Sequence, residues 1–175
     1  GVDLEIKSGR TLGLVGGSGC GKTTVARTIL RLVEPTDGSI VFDGRDITKL
    51  RGREMKNLGR EMQIIFQNPE TSLNPRMKIY DAILEPLRIH KLCSANEENE
   101  KIHQLIEIVN LNKELLFRYP HELSGGQLQR VVIARILSLN PKFIVADEAT
   151  SMLDPLVQAQ ILNLMKDLQE KLGIS

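Results

Sequence analysis

Thr11-Leu12-Gly13-Leu14-Val15 runs straight into Gly16-Gly17-Ser18-Gly19-Cys20-Gly21-Lys22-Thr23. The first five residues are almost wholly apolar, and they do not alternate with polar ones. A strand buried on both faces reads this way, and such strands belong to parallel sheets. The glycine stretch fits G-x-x-x-x-G-K-[ST] and lies between a strand and a helix, as that motif requires. Its glycines let successive N–H groups point into one concavity. The following helix adds its positive end to the same anion. Lys22 can reach the β- and γ-phosphates of a nucleoside triphosphate. The Thr23 hydroxyl suits Mg²⁺, which takes oxygen ligands and keeps several waters. Thr24 is placed for the α-phosphate. A glycine turn without a ligand would give Lys22 and Thr23 no packing reason to be there. Cys20 is a small filler in this loop. A thiol near a helix N-terminus and a lysine is reactive, so N-ethylmaleimide is expected to label it and Mg-ATP to protect it.

Working outward, Val2–Ile6 alternates apolar and polar residues as a strand does, and Ser39–Phe42 reads as another, turned at Asp43-Gly44. Met62–Phe66 and Phe143–Ala146 are further apolar strands. A helix is expected from Lys22 to about Leu32. From Pro69 to Leu137 the periodicity turns helical: Ile102, Leu105, Ile106 and Val109 make one stripe, and Gly125–Leu137 opens another helix. A last helix runs from Pro155, a residue suited to a first turn, to Leu172. Its apolar face is Val157, Ile161, Met165, Leu168 and Leu172. The expectation is an α/β fold with a mostly parallel sheet. The core is about 1–68 and 138–175, with a helical subdomain inserted over about 69–137.

Asp147 and Glu148 end the strand Phe143–Ala146. In open α/β sheets ligands gather at the carboxyl ends of strands, so both carboxylates should approach the glycine loop. Asp147 would hold Mg²⁺, and Glu148 would act as general base on the attacking water. Gln67 also ends an apolar strand, where a neutral amide could touch both the metal and the water. Leu123-Ser124-Gly125-Gly126-Gln127 lies between the glycine loop and the acidic pair. Ser124 is a good N-cap, and the N–H groups behind it form a second anion site. One physical answer to what it binds is the γ-phosphate of another molecule. Two chains packed head-to-tail would then bury two ATP molecules, each between one glycine loop and the other chain's LSGGQ.

Composition sets the bounds. With 175 residues and 41% hydrophobic content, the chain makes one domain with a real core. Its net charge of +1 argues against a polyanionic partner. The basic cluster Arg45, Lys49, Arg51, Arg53, Lys56 and Arg60 has no aromatic residue interleaved for base stacking, so a solvated face explains it better than nucleic acid. Cys20 and Cys93 form no disulfide or metal spacing, which points to a reducing compartment. No stretch reaches the ~20 apolar residues of a membrane span, and no signal peptide is visible.

Taken in order, GGSGCGKT, Gln67, LSGGQ, VADEA and Ser151-Met152-Leu153-Asp154 resemble the nucleotide-binding domain of ABC transporters, a P-loop NTPase with a RecA-like core. IIFQNP, SLNPRM, YPHE and Gln158-Ala159-Gln160 are similar to the ATP-binding subunits of oligopeptide, dipeptide and nickel importers. The resemblance implies an ATPase that powers a membrane importer, with ATP and Mg²⁺ as cofactors. It implies a second cassette, identical or paralogous, and transmembrane permease subunits that hold the chain at the cytoplasmic face. It further implies that Asp154 communicates across the dimer. Cys20 stands where the family usually has Ser, and Ala149 where it usually has Pro. Family members carry an adenine-stacking aromatic before the first strand and a switch histidine after the last helix. His90, His103 and His121 do not lie at that position, so a chain trimmed at both ends, weakly active alone, is expected. Alternatives are a non-transport ABC ATPase of DNA repair or translation, an exporter cassette, and a nucleotide-gated regulatory module. The first is opposed by the lack of long coiled coil between Lys22 and Leu123, the exporter by SLNPRM.

Overall fold

A computed structural model describes residues 1–175. Two short sheets and six α-helices make up the chain. Helix α1 spans Lys22–Ile29. Strands β1 (Val41–Phe42) and β2 (Arg45–Asp46) form an antiparallel hairpin. Asp43 at φ 50° and Gly44 at φ 74° supply the turn between them, the two positive φ values that a tight hairpin needs. Helix α2 (Arg53–Glu61) buries only Leu58, and its Arg53 and Lys56 face solvent while Arg60 is half-buried. Arg45 pairs with Glu54 at 2.5 Å.

Strands β3 (Met62–Ile65) and β4 (Phe143–Ala146) lie parallel, with Met62 opposite Phe143 and Ile65 opposite Ala146. Between them in sequence come α3 (Ile79–Ile89), α4 (Glu98–Ile108) and α5 (Gly125–Leu137). Helix α6 (Pro155–Leu172) follows β4. The predicted stripe of α4 is buried as expected: Ile102, Ile106 and Val109 are each 0% exposed, and Leu105 is 9%. Helix α5 packs on α3 and α4 and also on α6 and β3. One continuous apolar core therefore runs from the helices of 69–137 to Ile65, Ala149 and Ile161. A smaller core under the hairpin joins Leu30, Ile47, Leu58 and Met62. Arg135 ties α5 to the chain after Gln67, donating to Ser72 O at 3.0 Å and to Glu85 Oε2 at 2.7 Å.

Three expectations need correction. The runs 2–6 and 11–15 lie outside the two sheets, and Leu12, Leu14 and Val15 are exposed. Strand β4 has β3 on one edge. Along its other edge the Ile144 N–H donates to Ser175 O at 2.8 Å and the Ser175 N–H to Lys142 O at 3.0 Å. The apolar run 11–15 consequently makes no ladder. Secondly, α1 stops at Ile29 rather than Leu32, because Arg31 takes φ 58° and the Leu32 N–H turns back to Arg27 O, a Schellman closure. Thirdly, Leu164 rather than Leu172 completes the buried face of α6. Gly173, at φ 67°, ends that helix and swings Ile174 into the core in place of Leu172. A left-handed C-cap suits glycine because it has no Cβ to clash.

Candidate nucleotide site

The glycine loop is built of backbone donors without acceptors. Gly19 and Gly21 adopt φ 77° and 96°, a region open to glycine and costly for other residues. The N–H groups of Gly19, Gly21, Lys22, Thr23 and Thr24 find no acceptor in the protein, and no side chain caps α1. That set of orphan donors at a helix start fits an anionic group such as a phosphate chain. Lys22 folds back meanwhile, its Nζ donating to Gly16 O at 2.9 Å and Gly17 O at 3.0 Å. Gly16 has a local reason to be glycine: a Cβ there would sit 2.5 Å from Cys20 Sγ. Cys20 is a free, exposed thiol. N-ethylmaleimide should therefore label it readily, and Mg-ATP should slow the labelling. Equal rates with and without nucleotide, read by mass spectrometry, would refute this.

Strand register delivers the acidic side of the site. Ile65 faces Ala146, and the Asp147 N–H donates to Ile65 O at 3.0 Å. The pairing thus continues past both strands and brings Gln67 beside Glu148. The Thr23 hydroxyl donates to Asp147 Oδ1 at 3.0 Å. Neighbouring ligands in an Mg²⁺ octahedron with bonds of 2.0–2.1 Å stand about 2.9 Å apart. Thr23 and Asp147 therefore offer two hard oxygen donors at the right separation, and the residues fit the metal. The Gln67 amide donates to Glu148 Oε2 at 3.2 Å and to Ser151 Oγ at 3.1 Å, and makes no hydrogen bond to Thr23 or Asp147. Glu148 itself sits at φ 51°. A left-handed non-glycine residue costs on the order of 1–3 kcal/mol and gathers at functional sites.

The LSGGQ segment lies elsewhere on the chain, and no hydrogen bond joins it to residues 16–24. Ser124 caps α5 reciprocally: its Oγ accepts from the Gln127 N–H at 3.4 Å, and Gln127 Oε1 accepts from the Ser124 N–H at 3.0 Å. This is a capping box. It leaves the N–H groups of Gly125 and Gly126 without protein acceptors, consistent with an anion site. Just upstream, the Tyr119 N–H and Arg118 donate to Glu122 and hold its carboxyl below the usual range. The glycines also pack: a Cβ on Gly126 would collide with Val157 Cγ1, and one on Gly125 would reach 3.1 Å from Leu153 Cδ2. Asp154 caps α6, accepting from the Val157 N–H at 3.0 Å. The start of α5 and the start of α6 thus touch through Gly126 and Val157.

Sequence reasoning named Gln67, Glu148, Thr23 and Asp147, and the fold brings them into two bonded pairs. It missed Ser151 as a partner of Gln67, for which an isolated serine gives no signal. It also missed the packing on Gly126. A bulky residue at the start of α6 was the available clue.

A sequence model of the family described as ABC transporter matches residues 1–151. The chain is 51% identical to the oligopeptide transport ATP-binding protein OppF of Bacillus subtilis (strain 168), covering 99% of this chain and 58% of that protein. It is 49% identical to the glutathione import ATP-binding protein GsiA of Pectobacterium atrosepticum, covering 99% of this chain and 28% of that one. Among solved structures, cbiO1 of Clostridium perfringens, part of the ABC transporter complex cbiONQ, superposes with a TM-score of 0.89 at 29% identity. That match covers 99% of this chain and 68% of cbiO1. The ATP-binding cassette MJ0796, a dimer bound to ADP and Pi in a post-hydrolysis state, gives 0.84 at 33% identity over 97% of this chain and 74% of that one.

Proposed function

The chain belongs to the ABC transporter family, and from that premise we propose that it binds and hydrolyses ATP to drive a membrane importer of peptides. The single observation that carries the reading is the 3.0 Å contact between Thr23 and Asp147. It joins a loop of orphan donors to the strand that bears the carboxylates. Gly16, Gly17, Ser18, Gly19, Cys20 and Gly21 wrap the phosphates, and Thr24 takes the α-phosphate. Lys22 leaves the carbonyls of Gly16 and Gly17 for the β- and γ-oxygens, exchanging two neutral acceptors for charged ones. Thr23, Asp147 and Gln67 would hold Mg²⁺, which would supply neutralising positive charge for the phosphates. Glu148 orients the attacking water and accepts its proton.

Ser124, Gly125, Gly126 and Gln127 act in trans on the ATP of a second cassette, and Asp154 carries the state of one site to the other. The relatives' functions, oligopeptide and glutathione import, support a peptide cargo. The helical region 69–137 is the face for permease subunits, and Arg135 links it mechanically to the segment after Gln67. No helix is long and apolar enough to cross a membrane; attachment at the cytoplasmic face through those subunits is part of the proposal. Because half of each reaction centre comes from the partner, turnover per subunit should fall steeply on dilution and recover when ATP drives association. A rate that stays constant per subunit across a wide dilution series would sink the shared-site reading.

A further inference from the structure

We propose that Ser151 is a positioning residue that fixes which end of the Gln67 amide faces Glu148. The proposal rests on the ATPase reading above. The Gln67 Nε2 has two hydrogens and two acceptors, Glu148 Oε2 at 3.2 Å and Ser151 Oγ at 3.1 Å. A carboxylate only accepts. The Ser151 hydroxyl donates its one hydrogen to Glu148 O at 3.0 Å, so toward Gln67 it too can only accept. Both neighbours therefore select the NH₂ end, and the reversed amide would set an oxygen against two oxygens. Gln67 Oε1 is left without a donor in the protein. It is the end that can serve a cation, while the nitrogen steadies the carboxylate.

The same hydroxyl also braces the turn that carries Glu148. Bonds run in one direction, from Gln67 N–H to Ser151 O–H to Glu148 C=O, and such chains polarise each other. The turn has a second support, the Ser151 N–H donating to Glu148 O at 3.0 Å. Removing the hydroxyl alone should thus release the amide without unfolding the turn.

The test is a double-mutant cycle on Ser151 and Gln67, with steady-state ATPase measured in the assembled transporter complex. Ser151→Ala should lower kcat by roughly three- to tenfold, the range of one hydrogen bond. The KM for ATP should change by less than about twofold, and half-saturation by Mg²⁺ should move to higher concentration. In a Gln67→Ala background, Ser151→Ala should have a much smaller effect, since the hydroxyl acts mainly through the amide and the Ser151 N–H still holds the turn. Ser151→Thr, which keeps the hydroxyl, should restore both kcat and the Mg²⁺ requirement. Additive losses in the double variant, or an unmoved Mg²⁺ requirement, would overturn the assignment while leaving the ATPase reading intact. Absence of turnover in the wild-type complex would remove both together.

Discussion

Glu148→Gln is expected to cut ATP turnover by ~10²–10⁴ and to leave ATP bound. The carboxylate lies where the β3–β4 pairing runs out, one residue past the aspartate that meets Thr23. An amide of the same size removes the proton acceptor and disturbs neither strand. It also meets the Gln67 NH₂, which now donates to Glu148 Oε2 at 3.2 Å. Only the amide oxygen can accept that bond, so the substituted side chain keeps its place while losing its basicity. On the proposed reading phosphate binding rests on the loop at 16–24, which this substitution leaves untouched. ATP-loaded chains should then accumulate as dimers in gel filtration, while phosphate release falls to background. Wild-type turnover in this variant would place the general base elsewhere.

Gly126→Val should be nearly as damaging, for a reason that has nothing to do with charge. There is no room for a side chain on α5 at that point, because Val157 Cγ1 already fills the space. Overpacking of this kind costs about 1–3 kcal/mol. The larger effect is expected at the proposed anion site, since shifting a positioned group by about 1 Å can cost 10²-fold in rate. ATP binding by the separate subunit should stay near normal, because the glycine loop makes no hydrogen bond to LSGGQ. Turnover of the dimer should collapse. Shortening the obstacle with Val157→Ala in the same chain should recover much of the rate and of the denaturation midpoint. Gly125→Ala should be milder, since its neighbour is the flexible end of Leu153. Full turnover in Gly126→Val would show that this close approach serves no purpose.

The placement of the candidate groups was legible in the sequence because each sits at a fixed offset from a backbone event. Lys22 and Thr23 open α1, Asp147 and Glu148 follow β4, Gln67 lies just past β3, and Ser124 caps α5. Helices were equally readable where an apolar stripe met a packed core, as along Ile102, Leu105, Ile106 and Val109. What the sequence could not show depends on contacts between distant segments. The run 11–15 has the composition of a central strand, yet strand formation needs a free neighbouring edge, and Ser175 lies on that of β4. Gly126 looks like part of an anion loop until Val157 is placed beside it. Ser151 becomes meaningful only when β3 and β4 pair in this register.

The lead-in to the glycine loop is held by residues far from it in sequence. Gly9 N–H donates to Ser175 Oγ, and Gln169 Nε2 donates to Gly9 O, spans of 166 and 160 residues. Ribosomes add roughly 5–20 residues per second, so on the order of 8–30 s separate the emergence of these partners. Over that interval the helices between Ile79 and Leu137 emerge and can begin to pack on one another. The approach to the glycine loop is thus fastened only after residues 79–137 have all been made.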